Sequence, residues 1–269
     1  MHLSWFSQLE AWPVSLALVL AMPVAVSVGY RIGHRLREQT GDTGRGHFGA
    51  VQGSLLGLLA LLLGFSFSMS TARYEVRRAL VMEDANALTG LYLDSSLLPE
   101  PQRGQFRELL GQYVGVRTDP RLVQGRITVE ALAAGLARAE ELHRRMWELA
   151  RDMLRASPTV PGAEGLLSAL KDALSVHRRR VYAYESRVPG VIIALLFGAA
   201  VTSAGAVGYS GGLGRYHGWP ASILLTVLVS GTIYVILDLD RPQSGLIRVD
   251  QTPLLQARAM LDWERGPEP

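Results

Sequence analysis

Four stretches of this 269-residue chain contain no aspartate, glutamate, lysine or arginine: residues 11–30, 46–72, 188–214 and 216–237. Each holds 20 residues or more, and about 20 apolar residues cross the hydrocarbon core of a bilayer as a helix. Between the second and third stretches, residues 73–187 carry 33 of the 51 charges (27 basic plus 24 acidic). The chain is 19% charged, against about 25% in a soluble domain, and the deficit lies in those four windows. The pattern predicts a membrane protein with a soluble insert. It excludes a water-soluble single-domain enzyme.

The expected organisation is an all-α membrane protein with four transmembrane helices and a helical soluble insert between helices two and three. Residues 1–72 hold spans one and two, 73–187 the insert, 188–239 spans three and four, and 240–269 a C-terminal tail. The first span reads as a retained helix, because residues 1–12 lack Lys and Arg, contain Glu10, and so lack the positive region that opens a signal peptide. Trp5 and Trp12 flank it as an aromatic belt. That span is expected over 13–30, and a Gly/Thr-rich loop over 39–46. The second span starts near His47 and continues beyond the membrane, with Val76, Leu80, Leu88 and Leu91 at helical spacing, until Pro99 and Pro101 break it.

Three more helices are expected in the insert. They cover 102–116, a long run N-capped by Thr128 and ended by Ser157-Pro158, and 164–186. Pro189 opens the third span, which is expected to end in the turn Ser210-Gly211-Gly212. The fourth is expected from Trp219 to Tyr234. No alternating β pattern appears.

Enzyme templates fail. The chain has no P-loop, HExxH or strand-preceded GxGxxG. Zero cysteines remove disulfides, thiolate metal sites and cysteine nucleophiles together. No metal or cofactor is expected, and no enzyme activity. His143 and His177 read as solvated helix-face residues, and Arg178-Arg179-Arg180, next to a span, as a lipid head-group contact. The net charge of +3 is no argument for a nucleic-acid partner, and none is expected.

Two features remain. In the second span Gly49, Gly53, Gly57, Ala60, Gly64, Ser68 and Thr71 recur every three or four residues, a stripe that permits close backbone approach between helices in lipid. Leu58, Leu62, Phe65 and Met69 lie on another face. On one reading the stripe packs inside the chain and the bulky face meets lipid; on the other the stripe meets neighbours and the bulky face narrows a passage. The second feature is Asp238, Asp240 and Arg241 after the fourth span, followed by Pro242 and Gly245. Carboxylates there are costly unless paired or hydrated. The segment reads either as a helix-end stop with Arg241 neutralising one aspartate, or as the scaffold of a water-filled mouth that favours cations.

The segments GLLALLLGFSFSMSTARYEVRR (57–78), EDANAL (83–88), LDLDRPQSGLIRV (237–249) and QTPLL (251–255) resemble the bacterial bestrophin-like family, a likeness covering residues 46–261. The resemblance implies a homo-oligomer, a pentamer by analogy with bestrophins, passing inorganic ions along a pore lined by helix two. By position Leu58, Leu62, Phe65 and Met69 become candidate pore residues. No aromatic neck motif or acidic calcium clasp matches, so calcium gating is not carried over. The alternative is a non-conducting membrane sensor or scaffold whose insert binds a protein partner.

Orientation is contested. Arg31, Arg35, Arg37 and Arg45 draw the first loop to the cytoplasm, while the arginines flanking the insert pull it there instead. The family likeness favours a multi-pass protein of the bacterial inner (cell) membrane, with the insert and both termini cytoplasmic.

Overall fold

The computed structural model describes residues 11–119, 129–156, 162–214, 218–240 and 245–263, and every regular element among them is an α-helix. In chain order these are α1 (Ala11–Leu36), α2 (Asp42–Ser95), α3 (Gln102–Arg117), α4 (Val129–Ala156), α5 (Ala163–Glu185), α6 (Gly190–Gly214), α7 (Trp219–Leu239) and α8 (Thr252–Trp263). Helices α1, α2, α6 and α7 are long and apolar enough to cross a membrane. Trp5, Thr128, Ser157, Pro158, Arg241 and Pro242 lie outside the described residues.

Several boundaries differ from expectation. Helix α2 begins at Asp42, so the Gly/Thr-rich segment before His47 is largely helical. Helix α6 runs through Ser210, Gly211 and Gly212 to Gly214, because Gly212 lies against the α1 backbone in a helix contact rather than in a turn. Helix α7 continues five residues past Tyr234, which makes Asp238 part of the helix.

The chain divides into two compact units: Met1–Tyr74 with Arg187–Ile247, and Glu75–Ser186 with Arg248–Pro269. In the first unit α1 packs along α6 and also meets α7. The α1–α6 contact is backbone on backbone. A Cβ at Gly29 would run into Gly205 O, at Gly33 into Tyr209 O, at Gly208 into Val26 O and at Gly212 into Tyr30 O. Both helices thus present glycines four residues apart, the geometry that lets helices associate in lipid through van der Waals contact. Around this seam Leu18, Met22, Leu59, Ile193, Leu196, Ala200, Ile233 and Leu237 form one buried cluster.

In the second unit α3 packs against α4, α4 against α5, and α8 against α3. Their buried residues recur at helical spacing: Phe106, Leu110 and Tyr113 on α3, Leu142 and Met146 on α4, Leu166, Leu170 and Ala173 on α5. From α2 come Leu80, Leu88 and Leu91, while Val76, expected with them, is exposed. Helix α5 starts after Gly162, whose φ of 80° is strained for any residue with a Cβ. Its far end is closed by the buried Arg77, which donates to Ala183 O at 2.9 Å and Ser186 O at 2.7 Å, supplying donors that terminal carbonyls lack.

The seam is open to test. Gly208→Ala should lower the stability of the detergent-solubilised protein by about 1–3 kcal/mol, the usual cost of overpacking. Gly198→Ala in the same helix, with nothing within 4 Å of its Cβ position, should leave it unchanged. Thermal unfolding of the two variants side by side checks this.

Candidate functional site

The membrane stretch of α2 has three faces. Leu59, Ser66 and Ser70 are buried against the rest of the first unit. At 100° per residue, Gly49, Gly53, Gly57 and Gly64 centre roughly 120° to one side, and Leu58 and Phe65 roughly 110° to the other. The four glycines are exposed, and among the described residues nothing beyond their own stretch of α2 lies within 4 Å of their Cβ positions. Packing of the stripe inside the chain is therefore overturned; the glycines that pack internally are those of α1 and α6.

The four bulky residues do not share one free face. Leu58 and Phe65 are 52% and 67% exposed, whereas Leu62 and Met69 are half-buried against the apolar cluster of their own unit. Their positions on the wheel, turned toward Leu59 and Ser66, explain the split.

The two aspartates of the acidic segment are withdrawn from solvent. Asp238 and Asp240 are 2% and 5% exposed, and both accept backbone hydrogen bonds. Asp238 receives Leu246 N at 3.1 Å on Oδ1 and Ile247 N at 2.8 Å on Oδ2, which ties the segment after α7 back onto the helix end. Gly245 lies so close that a Cβ there would collide with the Asp238 carboxylate. Asp240 accepts from Val188 N at 2.8 Å, just before α6, and pairs with Arg73 Nη1 at 3.4 Å. Arg73 on α2 is thus a cationic partner of Asp240.

Sequence reasoning missed Arg73. The signal was present: Leu59, Ser66, Ser70 and Arg73 are spaced seven, four and three apart, so Arg73 extends the buried side of the helix.

The second unit encloses another polar centre. Asp84, fully buried, accepts from Arg117 and, at 2.7 Å, from Arg180 Nη1. Arg117 also donates to Tyr113 Oη at 2.9 Å, and Arg180 to Gln251. Arg179 pairs with Glu83. Arg180, expected at lipid head groups, is therefore turned inward, because a buried carboxylate needs cations or donors around it. His143 is buried and His177 half-buried, which overturns their reading as solvated residues. Both rings sit edge-on to Tyr113, at 6.0 and 6.3 Å between centroids. Burial first, then the positive fields of Arg178 and Arg117 on His143, and of Arg117 and Arg180 on His177 against the opposing Asp84, push both imidazoles down to about 4. Among the described residues no group of three or more His, Cys, Asp or Glu is placed to hold a metal ion.

Two outcomes follow. Removing one member of a buried ion pair typically costs about 3–5 kcal/mol; with Arg73 23% exposed, Arg73→Gln should cost about 1–3 kcal/mol. The Arg73→Gln/Asp240→Asn double variant should recover part of that loss in the same unfolding assay. The histidines give a pH dependence. An imidazole held neutral near 4 in the fold takes up a proton below 6.5 once unfolded, so stability is complete above that pH and declines toward about 4. Hydrogen exchange in α4 and α5 of the full chain should accelerate across this window, and less so in His143→Gln/His177→Gln.

Residues 16–254 match the bestrophin-like domain family. In fold, the chain is similar to a bacterial bestrophin homologue from Klebsiella pneumoniae, at 15% identity and a TM-score of 0.65 over 95% of this chain and 98% of that one. Crystal structures of two single-substitution variants described as a membrane protein align at 16% identity. One has a TM-score of 0.67 over 95% of this chain and 98% of that one. The other has 0.65 over 97% and 100%. No curated protein matches the chain in sequence. The chain belongs to the bestrophin-like family and is a membrane protein.

Proposed function

We propose that this bestrophin-like protein assembles as a homo-oligomeric ion channel with α2 along the axis, five copies by analogy with bestrophins. The observation that carries the reading is the division of α2 into three faces about 120° apart. Leu59, Ser66 and Ser70 meet the chain's own core, Gly49, Gly53, Gly57 and Gly64 are free for close approach of a neighbouring copy, and Leu58 and Phe65 remain for the passage. A ring of bulky apolar side chains can dewet a narrow pore and hold back ions without any charge. Leu62 and Met69 have no part in that ring, since they pack internally. Asp238 and Asp240 serve as structural carboxylates rather than as a cation-attracting mouth. The family likeness supports a location in the bacterial inner membrane, with insert and termini in the cytoplasm.

The test is ion flux in reconstituted liposomes. Phe65→Ala should raise flux over wild type by widening and hydrating the constriction, whereas Met69→Ala should change stability without a matching gain in flux. Vesicles that stay as tight as empty ones with every variant, the protein being folded and inserted, would give the function to the non-conducting sensor or scaffold.

A further inference from the structure

A cavity of about 690 Å³ opens at the end of the membrane unit where α1 and α6 finish and α2 and α7 begin. Its lining includes Val26, Tyr30 and Arg31 of α1, Gln52 of α2, Ser210 of α6 and Trp219 of α7. Arg31 is exposed and forms no hydrogen bond or ion pair with another described residue. Among the described residues no carboxylate lines the cavity. Ser27 and Ser222, also on its wall, donate their hydroxyl protons to Pro23 O and Gly218 O. The Arg31 guanidinium, the Gln52 amide, the Ser210 hydroxyl and the Trp219 indole N–H are all able to donate. A cation among donors with no acid is a site for an anion.

Position narrows the anion. Tyr30 and Arg31 end the first charge-free stretch, and Trp219 starts α7, so the cavity lies where aromatic and arginine residues mark the bilayer interface. On the same two helices Val24, Val28 and Ile32 of α1 and Ile223, Leu224 and Val227 of α7 are exposed, which offers apolar surface beside a polar pocket. The volume is in the range of small-ligand sites. An anion joined to long apolar chains fits both halves.

We propose that this cavity binds the head group of an anionic phospholipid, its phosphate on Arg31 and Gln52 and its acyl chains along the exposed faces of α1 and α7. The site does not depend on whether the protein conducts ions.

The intact, delipidated protein in detergent is titrated with phosphatidylglycerol and read by native mass spectrometry. Arg31→Gln should weaken binding about fivefold, the weight of one arginine near an anionic surface. Gln52→Leu, which removes a second donor and keeps the test open if Arg31→Gln fails to fold, should weaken it as well. Arg35→Gln, one turn further on and outside the cavity, should leave it unchanged, and glycerol 3-phosphate should not compete. An equal loss with Arg35→Gln would reduce the effect to general surface charge. Competition by glycerol 3-phosphate would make it a soluble phosphate-ester site. A Ser222→Cys thiol shielded from maleimide in the assembled protein, but reactive once the subunits dissociate, would give the cavity to a neighbouring copy. Each of these three results overturns the proposal, as does binding that neither cavity variant weakens.

Discussion

The close approach of α1 and α6 is the contact on which the membrane unit rests. Helices in a bilayer gain little from burying leucine against leucine, because lipid is as apolar as the core. What remains is contact density, and glycine maximises it. At Gly29, Gly33, Gly208 and Gly212 the facing backbone occupies the space a side chain would need. With that seam set, Leu18 and Met22 of α1, Leu196 and Ala200 of α6, and Ile233 of α7 close into one cluster. Helix α2 adds one face to it through Leu59 and keeps the other two available. The same economy explains why the protein contains two kinds of glycine stripe: one is used within the chain, and the other meets no other helix among the described residues.

Polar groups at the ends of the spans obey a different constraint. A carboxylate withdrawn from water must be paired or hydrogen-bonded. Asp238 takes two backbone N–H groups from the segment that follows α7, and Asp240 takes one from the residue that leads into α6 together with Arg73 of α2. These two side chains fasten chain segments far apart in sequence, which accounts for a Gly at 245 where a Cβ would collide with the acid. An acidic segment beside a membrane span invites an ionic reading; here its geometry makes it a clasp.

The second unit uses the same chemistry in its interior. Asp84, Arg117 and Arg180 join α2, α3 and α5, and Tyr113 stands between that group and two neutral imidazoles. Burial and neighbouring guanidinium groups both disfavour the imidazolium form, so the interior carries the histidines uncharged.

Hydropathy and helical period alone determine the helical class, the four long apolar helices, the charged stretch between the second and third, and the continuation of the second helix beyond its apolar part. Each is a one-dimensional property: the bilayer sets a length of uninterrupted apolar sequence, and lipid leaves helices no alternative to internal hydrogen bonding. The partner of a polar or small residue is a different matter. Gly53 and Gly208 look alike in sequence, yet only Gly208 has a backbone against it. Asp240 bonds to Arg73, 167 positions away, a pairing that no spacing in the sequence marks. His143 and His177 lie on helices rich in arginine and glutamate, and only the packing of α3, α4 and α5 turns them inward. A helix presents all its faces in its sequence. Which face meets which neighbour depends on the crossing of helices far apart in the chain, and that is decided by tertiary structure alone.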